Sequence, residues 1–89
     1  MYKILINDSI FNKKLTIKQI AFFLKRYCDM YYSLQLSSEQ LTLILLYFYS
    51  LNSTLINEEG FLNSTVSKII GKSRSFTILL LLENYFYSI

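Results

Sequence analysis

The chain has 89 residues, of which 53% are hydrophobic and 17% aromatic, with a formal net charge of +3. This composition is too apolar for a disordered chain, and the length predicts a single domain over residues 1–89. The lone Cys28 excludes an internal disulfide and a cysteine-based metal site. So much apolar material in a short chain favours a subunit interface, and we expect a homodimer.

Catalytic and membrane-spanning functions have little support in the sequence. Ser-His and Cys-His pairs need a histidine, which the chain lacks. The adjacent Glu58 and Glu59 suit the N-terminus of a helix better than acid–base chemistry. The longest apolar runs, at 43–49 and 78–82, are shorter than the roughly 18 residues that span a bilayer. We therefore expect a cytoplasmic protein that is not an enzyme and binds no cofactor or metal.

The charges are distributed unevenly along the chain. Residues 1–28 carry six Lys or Arg against the single Asp8, whereas every charged residue in 29–62 is acidic. Positive charge returns at 63–74 with Lys68, Lys72 and Arg74. This pattern supports two contact patches on a polyanion, although an ordinary solvated surface would show it equally well.

The first predicted elements are a β-prone stretch at 2–6, a polar loop at 7–14 and a helix after it. Thr16 and Gln19 match a capping box, which predicts that the helix begins there. Its apolar residues keep the alternating three- and four-residue spacing of an a/d seam as far as Leu34. Such a seam suits either a dimer interface or packing within the chain. The candidate dimer interface from this helix is Ile17, Ile20, Leu24, Tyr27 and Tyr31.

A second capping box, at Ser37 and Gln40, predicts a helix to about residue 51. Apolar residues surround this helix on every side, which predicts a central position. A short strand is predicted at 54–56. The acidic run at 57–59 is typical of a helix start, but Gly60 weakens that helix and favours a start nearer Asn63.

The remaining pattern predicts two consecutive helices. Val66, Ile69 and Ile70 form the apolar stripe of the first, and Gly71 can end it by adopting a positive φ. Ser73 is predicted to cap the last helix, which runs to about residue 86, and residues 85–89 could close as a strand. The basic and hydroxyl residues after Gly71 would then lie at a helix N-terminus, where phosphate is favoured.

Residues 67–75, which read Ser-Lys-Ile-Ile-Gly-Lys-Ser-Arg-Ser, resemble the helix-turn-helix core of winged-helix regulators. MarR-type repressors and the adaptors of plasmid and phage partition systems share this organisation, and the resemblance covers about residues 38–89. It implies a mainly α fold: a compact helical domain with a helix-turn-helix core, at most short β-strands and a truncated or absent wing. In such families the second helix of the motif lies in the major groove.

Carried over by position, the resemblance implies double-stranded DNA as the partner. The implied DNA-binding residues are Lys68, Lys72, Ser73, Arg74, Ser75 and Thr77. Arg74 is the candidate for a bidentate guanine contact, and Lys68 and Lys72 are the candidates for phosphate. A secondary basic patch would comprise Lys13, Lys14, Lys18, Lys25 and Arg26.

We therefore expect a DNA-binding dimer that acts as a transcriptional repressor or as a segregation or replication adaptor of a mobile element. Ile78 and Leu79 occupy positions where groove-facing polar residues are usual, so Leu79 joins the candidate dimer interface. The alternative is a small helical protein–protein interaction module, such as a phage or plasmid inhibitor or an immunity protein, with an apolar partner-binding helix.

Overall fold

The computed structural model describes residues 15–87, which form four α-helices around one core. Helix α1 spans Ile17–Tyr32, α2 spans Ser38–Leu51, α3 spans Ser64–Ile70 and α4 spans Lys72–Tyr87, with a 3-10 turn at Ser53–Leu55. Within this range there is no extended strand, so the predicted mainly α class is confirmed. The predictions for residues 1–14, including the strand at 2–6, lie outside the described part of the chain.

Both predicted capping boxes are present at the starts of α1 and α2. The Gln19 backbone N–H donates to Thr16 Oγ1 over 3.2 Å, and the Thr16 N–H donates to Gln19 Oε1 over 2.9 Å. The same reciprocal pair joins Ser37 and Gln40 at 3.1 and 2.9 Å. Because each box satisfies two backbone donors that lack intrahelical partners, these sequence signatures define where both helices begin.

The apolar seam of α1 packs inside the chain, mainly against α3. Ile20 and Leu24 are fully buried, Tyr27 is nearly so, and Tyr31 is half-buried. Leu34 lies beyond the end of the helix at a φ of 65° and is 90% exposed. The buried part of the seam therefore packs within the chain, because Ile20, Leu24 and Tyr27 have no surface left for a second copy. Ile17, like Tyr31, is half-buried.

Helix α2 is central on one side only. Leu41, Ile44, Leu45 and Phe48 are buried in the core. Leu43, Tyr47 and Tyr49 are exposed along the other side. The predicted central position therefore holds for one side of α2 only. A fully apolar helix pattern cannot indicate which side faces the core, since it has no polar stripe to break the symmetry.

The connection between α2 and α3 also differs from the predicted strand and helix. The 3-10 turn occupies most of the predicted strand, and Ile56 makes only an isolated antiparallel bridge with Leu62. Asn57 begins a tight turn, in which its side-chain oxygen accepts the N–H groups of Glu59 and Phe61 at 3.0 and 2.9 Å. An Asn side chain that satisfies nearby backbone donors competes with helix formation. Helix α3 begins later, capped by Asn63, as the alternative start predicted.

Gly71 alone separates α3 from α4. Its φ of 89° confirms the predicted positive φ, and its N–H donates to the Ser67 carbonyl. Because α4 already begins at Lys72, the prediction that Ser73 caps this helix is wrong. The predicted strand at 85–89 is also wrong for residues 85–87, which continue α4. A helix-turn-helix normally has three or four residues in its turn, so this junction is shorter than that motif.

We expect Gly71→Ala to destabilise the fold by about 1–3 kcal/mol. The Gly71 φ of 89° and ψ of 170° lie in a region that is open essentially to glycine alone. No neighbouring atom lies within 4 Å of an added Cβ, so the cost comes from the backbone and not from a clash. Urea unfolding would measure it. A free energy of unfolding within 0.5 kcal/mol of wild type, a typical spread for neutral surface changes, would show that α3 and α4 do not need this conformation.

Candidate functional site

The residues predicted to contact DNA divide into two groups around the α3–α4 junction. Lys68, Lys72 and Ser73 are exposed to solvent. Arg74, Ser75 and Thr77 are half-buried, and each donates a hydrogen bond within the protein. Only the first group is available, without rearrangement, to a ligand in solution.

Arg74 joins three helices. Its Nε and Nη2 atoms lie 2.9 and 2.8 Å from Asp29 Oδ1 in α1, and its Nη1 donates to the Ile70 carbonyl at the end of α3 over 2.9 Å. We call these three residues the Arg74 clamp. A bidentate contact with guanine needs the same guanidinium donors, so Arg74 would have to leave Asp29 and Ile70 before it could contact a base.

The hydroxyl groups after Gly71 are bonded within the chain. Ser75 Oγ donates to the Gly71 carbonyl over 2.7 Å, and Thr77 Oγ1 donates to the Ser73 carbonyl over 3.1 Å. The Tyr32 hydroxyl from α1 lies 2.7 Å from Thr77 Oγ1. Sequence reasoning missed Asp29 and Tyr32 as partners, because pairs more than forty positions apart leave no local pattern.

We expect Arg74→Ala to lower the free energy of unfolding by about 1–2 kcal/mol, because it removes charge-assisted hydrogen bonds that are only partly screened. Asp29→Ala should cost less, and the double variant should cost less than the sum of the two, since the residues interact directly. Urea unfolding of the double-mutant cycle measures this coupling. Lys72→Ala, the neighbouring exposed cation, is the matched control, and an equal loss in that variant would contradict the structural role of Arg74.

The secondary basic patch is described in part. Lys18, Lys25 and Arg26 are exposed on α1, whereas Lys13 and Lys14 lie outside the described residues. Phe22 is also exposed, by 61%, on the same helix. Lys25, Arg26 and Phe22 border a shallow groove of about 420 Å³ that also contains Asp29. The patch is therefore a mixed surface of cations, an aromatic ring and one carboxylate.

Three large apolar side chains lie on the exposed side of α4. Phe76, Leu80 and Tyr87 are 68%, 45% and 84% exposed, whereas Ile78 and Leu82 on the opposite side are buried in the core. Lys72 and Ser73 lie at the start of this exposed side, and Glu83 lies near its end. We call this surface the α4 outer face, formed by Lys72, Ser73, Phe76, Leu80, Glu83 and Tyr87. Leu79, predicted at the dimer interface, is half-buried beside it.

An apolar groove extends the α4 outer face towards the Asn57 turn. Its volume is about 450 Å³, and Leu79, Glu83 and Tyr87 contribute to one wall. Phe61 and Phe86 also line it and are 60% and 58% exposed. The exposed aromatic surface is therefore continuous from α4 to the turn, and a patch of this kind is typical of an interaction site.

Cys28 is not part of a reactive site. Its side chain is fully buried in α1, and burial raises the pKa of the thiol to about 12 against the smaller opposing effect of the Arg74 charge. A thiol with a raised pKa is protonated at neutral pH and is a poor nucleophile. Residues 15–87 also contain no group of three or more acidic or cysteine side chains suited to a metal ion.

The fold and the surface together define an all-α domain with an exposed apolar face on its last helix. The chain belongs to the family CLB_0814_fam, described as a conserved hypothetical protein, whose model matches residues 10–79. No curated protein and no solved structure matches the chain. In the part of the chain that the structure describes, no helix is long and apolar enough to cross a membrane.

Proposed function

We propose that the protein is an interaction module that binds another protein chain through the α4 outer face. The observation that carries this proposal is the exposure of Phe76, Leu80 and Tyr87 on one side of a helix. A surface helix normally turns polar residues towards solvent, and a cluster of exposed large apolar side chains is typical of a binding surface.

The rest of the junction supports the same function. Arg74 and Thr77, which a DNA-reading helix would direct towards bases, bind α1 and the α3–α4 backbone instead. A recognition helix inserted in the major groove would bring Phe76 and Leu80 towards the DNA, where most contacts are hydrogen bonds to phosphates and base edges. Aromatic residues are in contrast enriched in protein interfaces.

The experiment is site-specific photo-crosslinking in the host cell, with p-benzoylphenylalanine placed at Phe76 and, in a matched control, at Phe22. Both positions are exposed aromatic residues, at 68% and 61%, but Phe22 is on α1. We expect a discrete protein adduct from position 76 that position 22 does not give. Leu80→Ser should reduce its yield several-fold, because the change removes buried apolar contact area from the complex.

The opposite result is equally specific. If position 76 gives no protein adduct, or gives the same adducts as position 22, the α4 outer face is not a protein-binding surface. Circular dichroism of the purified variants checks that both retain the wild-type helix content.

A second candidate function is DNA binding of the winged-helix type, which the exposure of Lys68, Lys72 and Ser73 on the two sides of Gly71 favours. With Arg74 bound to Asp29, these residues suit phosphate contacts better than base reading. Such a protein would bind duplex DNA with modest sequence preference. To act as a repressor or as a segregation or replication adaptor, it would need further contacts that supply specificity.

Retention of a mixed duplex DNA pool at two salt concentrations tests the second candidate. We expect Lys68→Ala and Lys72→Ala each to weaken binding to all sequences alike and to flatten the salt dependence by about one unit, because each lysine neutralises one phosphate. Ser53→Asp, at an exposed position of the 3-10 turn, lowers the net charge by the same one unit and is the matched control. No retention even at low salt would exclude this candidate.

A further inference from the structure

The α4 outer face has the spacing of a helix–helix seam. Ser73, Phe76, Leu80, Glu83 and Tyr87 follow one another at alternating intervals of three and four residues. This is the a/d spacing with which one helix packs along another helix. The occupant that fits this face best is therefore another α-helix.

The positions of the charged residues along α4 indicate whether the second helix runs parallel or antiparallel to it. Lys72 lies in the first turn of α4 and Glu83 lies three turns later. If two copies of α4 paired in parallel, each lysine would meet a lysine and each glutamate a glutamate, which is unfavourable. If they paired antiparallel, Lys72 of each copy would approach Glu83 of the other. Glu83 would then also lie at the positive end of the other helix dipole.

The antiparallel register also matches the apolar residues. With the two-fold axis at the level of Ile78, Phe76 faces Leu80 of the second copy, and Ser73 faces Glu83 with Lys72 beside it. Each contact occurs twice, as an isologous interface requires. An entirely apolar occupant would instead bury Glu83 without a cation, which costs several kcal/mol in general.

We propose that the partner at the α4 outer face is a second copy of this chain, bound antiparallel with Phe76 against Leu80 and Lys72 against Glu83. This inference rests on the proposed protein-binding function of the same face. It differs from the α1 seam predicted from sequence, because that seam is buried in the protomer. An interface formed by one helix from each copy is small, so we expect a dissociation constant on the order of micromolar or weaker.

Sedimentation equilibrium of the purified full chain tests the proposal by charge exchange. Lys72→Glu and Glu83→Lys should each weaken self-association at least about tenfold, because each places like charges at both symmetric contacts. An equimolar mixture of the two variants should form a heterodimer with nearly wild-type affinity, since both contacts then pair opposite charges. Lys25→Glu makes the same charge change on the exposed side of α1 and should leave the wild-type dimer intact.

Two results would overturn the proposal. One is a wild-type chain that remains monomeric at millimolar concentration. The other is a dimer that neither single charge change weakens, or whose weakened variants do not recover on mixing. Circular dichroism of each variant separates lost association from lost folding. If the chain is monomeric but position 76 still gives an adduct with a different protein, only the self-association is overturned. If the chain is monomeric and position 76 gives no protein adduct, the proposed function is overturned as well.

Discussion

The Arg74 clamp is the interaction on which the rest of this surface depends. The α3–α4 junction consists of Gly71 alone, so the backbone conformation of this one residue sets the direction in which α4 leaves α3. Arg74 holds α4 against its neighbours by binding Asp29 in α1 and the Ile70 carbonyl of α3 with one guanidinium group, on the side of α4 where Ile78 and Leu82 are buried. Because Arg74 binds α1 and Ile78 and Leu82 enter the core, Phe76 and Leu80 on the opposite side of the helix face outward. The same contacts therefore orient α4 and expose its apolar side.

Local signals in the sequence predicted the helices well but not the contacts between them. The capping boxes at Thr16 and Ser37 and the positive φ of Gly71 depend on residues within four positions, and all three were predicted correctly. The partner of the α1 seam was not predictable, since periodicity identifies an apolar stripe without identifying what covers it. The same reason explains α2, whose apolar pattern is continuous while only one side is buried.

The candidate site shows a further limit of sequence reasoning. Arg74 after a glycine turn indicates a DNA contact when only neighbouring residues are considered. The acidic partner Asp29 is forty-five positions away, and only the tertiary structure brings the two charges together. The apolar run at 78–82 also does not indicate which side of α4 is buried. Ile78 and Leu82 enter the core, whereas Leu80 is exposed. Residues of one short apolar segment can thus face either the core or the solvent.

The two candidate functions compete for the same helix face. Lys72 and Ser73 would contact phosphate in a DNA complex, but they begin the seam that contains Phe76 and Leu80. A helix covered by a second protein chain cannot also lie in a major groove, so DNA binding would have to use the exposed cations of α3 and α1 in a dimer formed through α4. Exposed aromatic side chains favour aggregation unless a partner covers them. We therefore explain the outward side of α4 more simply as a surface that a partner chain covers than as one that remains in solvent.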